Sequence, residues 1–364
     1  MDCTDKQRSA TLKADTIRLI ENICDHNTNA LHFTAHCFIE MLEVAFNSPT
    51  NITADIIASR TSYLKYSESN RFMTQSVPES ICDAAFIGLT AISYLLSKNK
   101  DVIIKLEQVL LPHIDNILVS KSVLVRQRFI LMLGYFLDLL FQGNQELMGR
   151  ILNFLIDCVP REQGIDLAVS QQAADTLATI ITDEDIKNTL NTVVNKEFAE
   201  KVCSYIKVSS YQQYFLFVSD LLKYYLDVLG TDCLKIVQVL VQRIIEFQAM
   251  LENSNVKNHD EIGQAQVKAV GAIVEFLETT VEQQSKTPIM PATIDTIEEI
   301  IKPLFELINN KEGVLFEEEI LSSVKQIIFM RKFVSDTMWI VLSIIPKTKA
   351  NKVLDTIMVY INYG

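Results

Sequence analysis

Apolar residues recur along this chain with the period of an α-helix. In "FEEEILSSVKQIIFMRK", residues 316–332, Ile320, Leu321, Val324, Ile327 and Ile328 fall at the i, i+3, i+4 spacings of one face. In "AQVKAVGAIVEFLETTVEQ", residues 265–283, the stripe is Val267, Val270, Val274, Leu277 and Val281, with Gln266, Glu275, Glu278 and Glu282 on the opposite side. No window alternates apolar and polar residues with turn signals at its ends, so no strand is expected and the class is all-α. Short polar breaks such as "NSPTN", "SVPES", "SKNKD", "QGNQE", "LGTD" and "KTPIMP" separate segments of helical length. Breaks this short imply antiparallel helix hairpins. "SVPES" sets Ser76 or Pro78 at a helix start.

The hairpins repeat. Their second helices align on "ICDAAFIGLTAISYLL", "LVRQRFILMLGYFLDLL", "VSQQAADTLATII", "YFLFVSDLLKYYLDVL" and "AQVKAVGAIVEFLETTV". The marker residues Gly88, Gly134, Leu177, Leu221 and Gly271 are separated by 46, 43, 44 and 50 residues. A step of roughly 40–47 residues is that of paired-helix solenoids. Such units cannot bury their apolar faces alone, and stacked neighbours share one continuous core. The pattern runs from about Pro78 onward, and residues 1–77 read as less regular helical pairs of the same solenoid.

Composition narrows the class further. The chain has 364 residues, 49% of them hydrophobic, with 10 Gly and 8 Pro, which excludes disorder. Mean hydropathy is +0.18, yet apolar runs such as "WIVLSII" stop well short of the roughly 18–20 residues of a membrane span. A stacked-repeat core accounts for that hydropathy without a membrane. "MDCTDKQRSATLKADTIRLI" carries charges throughout and does not read as a signal peptide, so a soluble, intracellular protein is expected. The seven cysteines are scattered and form no CxxC pair, consistent with reduced, buried thiols. The net charge of −12 opposes direct contact with nucleic acid and favours basic partners.

Residues 109–136, "VLLPHIDNILVSKSVLVRQRFILMLGYF", make the pattern specific. Leu110, Leu111 and Pro112, then Val125 and Arg126, then Leu133 and Gly134, resemble the "LLP", "VR" and "LG" elements of a HEAT repeat, and "IIKPLFELINN" with Pro303 resembles the first-helix half. Together with "AADTLATIITD" and "DTMWIVLSIIPK", the segment is similar to the middle of large importins, the importin seven and eight branch of the importin-beta (karyopherin) superfamily. The resemblance spans roughly residues 78–364. It implies a superhelical α-solenoid of HEAT-type hairpins, and a fragment of a longer receptor that carries basic protein cargo into the nucleus under control of the small GTPase Ran. Nucleoporins would be further partners, and the cytoplasm, nucleus and nuclear pore its locations. The family's N-terminal repeats, which hold the main Ran contact, have no counterpart here. Its acidic central loop corresponds to residues 252–263, where Glu252, Asp260 and Glu261 are diluted by Lys257. A HEAT scaffold subunit of a phosphatase or vesicle-coat complex is the alternative.

Candidate chemistry is sparse. His32, His36 and Cys37 lie at helical spacing, but Phe33 stands where a zinc protease of the H-E-x-x-H type needs glutamate, so ordinary packing is expected. No G-x-S-x-G elbow and no glycine-rich phosphate loop occurs, and neither an enzyme nor a cofactor is expected. Tyr211, Tyr214, Phe215, Phe217, Tyr224 and Tyr225 cluster in one segment. The phenylalanines read as core, and the tyrosines as core or partner contacts. Arg126 is expected to pair with a carboxylate or carbonyl of the adjacent repeat, leaving Arg128 open to contact outside. Gln171, Gln172, Asp175, Lys268 and Glu275 on other second helices are expected to face the concave side and, with the two arginines, to meet partners.

Overall fold

The structure, a computed structural model, describes residues 3–47, 77–120, 122–141, 144–159, 167–184, 186–253, 258–284 and 290–310, with Ser323, Gln326, Ile327 and Met330 beyond them. "DTMWIVLSIIPK" and most of "FEEEILSSVKQIIFMRK" lie outside the described residues. Among the described residues every regular element is helical. The chain divides into two compact units, the first of residues 1–154 with 166–176 and the second of residues 155–165 with 177–364.

The first unit holds α1 (Cys3–His26), α2 (Thr28–Asn47), α3 (Val77–Ala91), α4 (Ser93–Leu96), α5 (Lys100–Leu110), α6 (Ile114–Leu118) and α7 (Val123–Phe136). The helices α8 (Gln145–Asp157) and α9 (Leu167–Ile180) run across the division between units. Local sequence sets these bounds. Asn27 accepts the Ala30 amide at 3.1 Å ahead of α2, and Ser122 accepts the Val125 amide at 3.4 Å to open α7. In α5, Val102, Ile103, Leu106, Val109 and Leu110 form the buried stripe, each such side chain contributing about 1.5–3 kcal/mol by leaving water. Helix α3 begins at Val77, so the start expected from "SVPES" falls with Pro78 in the first turn, where its missing N–H costs little.

Pro112 sits in a 3-10 turn, Leu111–His113, between α5 and α6. A proline cannot donate to the carbonyl four residues back, and the chain tightens there instead of continuing as regular helix. His113 then stacks on Phe46 of α2, with ring centroids 4.8 Å apart. Pro303 behaves differently, standing inside the single helix α16 (Pro291–Asn310). The turn after α7 closes on Phe141, buried and at φ 64. A bulky residue in that region is strained, and its amide is held by Glu107 Oε2 of α5 at 3.2 Å.

In this unit the helices form two rows. Helix α2 packs on α5 in one row, while α1 packs on α3 and α3 on α7 in the other, with α2 against α3 joining the rows. Phe86 of α3 and Phe129 of α7, both fully buried, meet with centroids 5.9 Å apart.

The second unit contains α10 (Lys187–Val193), α11 (Lys196–Ile206), α12 (Gln212–Tyr224), α13 (Leu226–Leu229), α14 (Asp232–Glu252), α15 (His259–Gln284) and α16. It alternates in the same way: α11 packs on α14 and α14 on α16, while α12 packs along α15, and α14 against α15 joins the rows. The aromatic segment divides by side-chain chemistry. Phe215 and Phe217 are fully buried. Tyr214 and Tyr225 are buried too, their hydroxyls donating to the Val202 carbonyl at 3.1 Å and the Ile181 carbonyl at 3.2 Å. Tyr224 is the exposed member.

Several side-chain bonds between packed helices span a similar number of residues in both units. In the first, Arg128 reaches Asp83 across 45 residues and Thr176 donates to the Ile130 carbonyl across 46. In the second, Lys201 and Tyr205 reach Asp157 across 44 and 48, Tyr225 reaches Ile181 across 44, and Gln326 reaches Glu278 across 48. These steps match the period read from the sequence. Arg243 of α14, 7% exposed, makes another junction. Its Nε and one terminal nitrogen hold the Ser209 carbonyl at 3.3 and 3.0 Å, its other nitrogen holds Glu246 at 2.9 Å, and the guanidinium lies over Phe247.

One expectation about phase is corrected. Gln266, assigned to the polar side of α15, is 0% exposed, and the buried face centres on Ala269, Ile273 and Phe276. The small alanines admit α14 and α12 closely. The Gln266 amide reaches the Ile244 carbonyl and Gln248 Oε1, each at 3.2 Å, which offsets its burial.

The marker glycines differ in surroundings. A methyl on Gly88 would collide with the Phe38 ring, and one on Gly134 would lie 3.3 Å from Thr176 Oγ1, whereas one on Gly271 would meet nothing. Gly88→Ala is therefore expected to destabilise by about 1–3 kcal/mol through overpacking, and Gly271→Ala to stabilise by about 0.5–1 kcal/mol through helix propensity. Urea unfolding followed by circular dichroism measures both, and shifts of the same sign would contradict this packing.

Candidate functional site

Helix α7 carries the two arginines of the 109–136 segment, and Arg128, expected to be open to contact outside, is the one that pairs within the chain. Arg128 Nε lies 2.8 Å from Asp83 Oδ1 of α3, with the two side chains 24% and 15% exposed. The contact between neighbouring repeats expected at Arg126 is thus made two residues later. The side chain of Arg126 makes no hydrogen bond among the described residues, and its Nε is buried. An enclosed N–H left in that way costs about 1–3 kcal/mol. Residues two apart on a helix point to different sides, and the side on which Asp83 stands decides which arginine finds a partner.

Beside Arg128 opens a groove of about 630 Å³. Glu21 of α1, Ile87 of α3, Tyr94 of α4, and Leu131 and Tyr135 of α7 line it with Arg128. Helices α1, α3 and α7 pack in succession, and the groove opens along that row of the first unit. Tyr94 and Tyr135 are 59% and 55% exposed, unusual for residues of that size beside an apolar floor. Gln171, Gln172 and Asp175 on α9 are half-buried, standing off the buried face formed by Val169, Ser170, Ala173 and Ala174.

In the second unit Glu275 of α15 is bound to Lys223 of α12 at 2.7 Å. That hydrogen bond is the main cause that holds the lysine's pKa above its ordinary value. Asp220, one turn earlier on α12, is pushed up by desolvation and by Glu275, with Lys223 opposing. Lys268 is half-buried on the same side of α15 as Glu275. The sequence pointed to Glu275 and missed Lys223, and it pointed to Arg128 and missed Asp83. Both partners lie about one repeat away, so the period held the signal. Tyr94 and Tyr135 were also missed. Their signal was a large aromatic outside the buried stripe of a second helix.

His36 Nδ1 faces Lys105 Nζ at 3.5 Å, and an ammonium group beside the ring is a poor neighbour for a metal cation. Among the described residues no three His, Cys, Asp or Glu side chains converge as a metal-binding group. Among them also, no helix is long and apolar enough to cross a membrane. The six cysteines whose surroundings are described are free thiols, and burial pushes Cys82 and Cys233 up to about 12. No protein-family model matches the chain, and no curated protein matches it.

Two expected outcomes follow. A double-mutant cycle of Asp83→Asn and Arg128→Met should return a coupling of about 1–2 kcal/mol; additive losses in urea midpoints would show that the pair does not join α3 to α7. The thiols of Cys82 and Cys233 rise from 9.0 to about 12 on folding. The folded chain therefore keeps them neutral, and the associated stability is present below pH 9 and lost as pH climbs toward 12. At pH 8 both should resist iodoacetamide until urea unfolds the chain, which peptide mapping of the alkylated protein checks.

Proposed function

We propose that this chain is a right-handed α-solenoid of HEAT-type antiparallel helix hairpins acting as an importin-like nuclear transport receptor. The observation that carries the reading is the common step of 44–48 residues in the side-chain bonds between successive hairpins. The proline-broken, arginine-bearing hairpin at residues 109–136 stands in that series. Stacked hairpins present long surfaces with no need of a reactive centre, and their work is multivalent binding.

In this reading the concave face holds basic protein cargo, drawn by a net charge of −12 and weakened by salt. Ran and nucleoporins complete the set of partners, and release follows when Ran bound to GTP favours another curvature of the solenoid. The receptor moves between cytoplasm and nucleus through the pore.

The second reading is a HEAT scaffold of a phosphatase or vesicle-coat complex. It is favoured by the internal pairing of Arg128 with Asp83 and of Lys223 with Glu275, beside exposed Tyr94 and Tyr135. Surfaces with paired charges and open aromatics suit lasting partners. Affinity capture from cell extract, with and without Ran loaded with a non-hydrolysable GTP analogue, separates the two. Recovery of basic nuclear proteins and nucleoporins, reduced by loaded Ran, is the expected result. A set of phosphatase or coat subunits indifferent to Ran would replace transport with scaffolding.

A further inference from the structure

We propose that the groove between α1, α3 and α7 of the first unit is a docking site for a short peptide segment carrying a basic residue beside an apolar one. The proposal rests on the reading of the chain as a protein-binding solenoid, and needs neither Ran nor transport. Three separate features of the groove specify the ligand.

The first is its floor. Ile87 and Leu131 line a space of about 630 Å³, within the roughly 300–1,000 Å³ of small-ligand pockets. Such a space takes a few side chains of a partner rather than a whole domain.

The second is charge. Arg128 is the cation in the wall, and Asp83 holds it at 2.8 Å. Glu21, on the α1 side, makes no ion pair among the described residues. Glu21 and Tyr94 line the same groove, and desolvation, then Asp25 and Glu21 of α1, raise the Tyr94 hydroxyl above its ordinary pKa. The charge left at this end is negative. Tyr94 and Tyr135, more than half exposed, offer ring faces to a cation. An ammonium or guanidinium group seated between Glu21 and the Tyr94 ring would use both.

The third is the wall between the apolar floor and that acidic end. Helix α3 stops at Ala91 and α4 starts at Ser93, with Ile92 between them at φ −102 and ψ 9. Across the break the Ile92 amide reaches the Gly88 carbonyl only at 3.4 Å. The α-helical ladder is interrupted at Ile92, which is a turn residue between the two helices. Ser93 lines the groove at 5% exposure, and its hydroxyl makes no hydrogen bond there. That hydroxyl is a polar group of the wall that a bound segment can engage.

The test uses the full chain and a fluorescein-labelled peptide, GSLKRLKLSG, followed by fluorescence anisotropy at low and high salt. Comparison peptides reverse the charges (GSLEELELSG) or remove the apolar residues (GSSKRSKSSG). Saturable binding of the first peptide is expected, weakened at least fivefold in either comparison peptide and by raised salt. Tyr94→Ala and Glu21→Gln should each weaken it about fivefold or more, with unchanged circular dichroism, because Tyr94 is solvent-exposed and Glu21 makes no ion pair. Phe33→Ser on α2, far exposed and outside the groove, should leave it unchanged. No binding, equal binding of the charge-reversed peptide, or parental affinity in both groove variants overturns the proposal. If the groove variants still capture protein partners from extract while the peptide fails, the groove assignment falls and the protein-binding reading stands.

Discussion

Each described helix depends on its neighbours to bury its apolar stripe. A helix has one buried face, so the core forms only where a second helix covers it. Apolar contact alone would let neighbours slide by a turn at little cost, because dispersion and water exclusion have no direction. Hydrogen bonds from buried side chains remove that freedom. Tyr225 must stand where its hydroxyl meets the Ile181 carbonyl just past the end of α9, and Thr176 where its hydroxyl meets Ile130. A one-turn slip would leave donor and acceptor buried without partners, at about 1–3 kcal/mol each. Arg243 does the same for the turn after α11, where a lysine would have only a point charge to offer the Ser209 carbonyl.

Those register bonds also govern what remains for partners. On the second helices Arg128 and Glu275 are engaged by side chains of neighbouring helices, so their charges act mostly within the chain. A paired, partly buried charge contributes little long-range attraction, and the −12 net charge must act through residues held less tightly. Exposed aromatics such as Tyr94 and Tyr135 are a different resource, because their contact area survives at any salt concentration. A binding surface of this kind combines salt-sensitive steering by carboxylates with salt-insensitive anchoring by rings.

The all-helical class and the break at Pro112 were legible in the sequence, because helical spacing and proline act locally. Phase and pairing were less so. In α15 the valines suggested a stripe, yet the helix turns its alanines inward, because close approach to α12 and α14 rewards small residues and Gln266 finds partners inside. Arg126 and Arg128 look equivalent in one dimension, and only the position of Asp83, a full repeat away, distinguishes them. The tyrosines of "YQQYFLFVSDLLKYYLDV" separated by whether a carbonyl waited at the right depth, which no property of the tyrosine itself announces.

The groove wall shows how local chemistry can build a surface feature without glycine or proline. In "GLTAISYLLSK" nothing is a conventional helix breaker. Thr90, however, donates from Oγ1 to the Phe86 carbonyl at 2.8 Å, the back-bonding that bends helices by competing with the main-chain ladder. Ile92, β-branched, adds crowding against the preceding turn. Burial then decides the outcome: Leu89, Ile92 and Leu96 are all fully buried, and reaching the core with each of them at this end of α3 favours a shift of the helix over an unbroken ladder. Thr90, Ala91, Ser93 and Tyr94, the residues around that shift, line the groove. Packing inside the hairpin and polarity on its surface are thus two consequences of one five-residue segment. A substitution that straightened it would remove the polar wall while leaving the apolar floor in place.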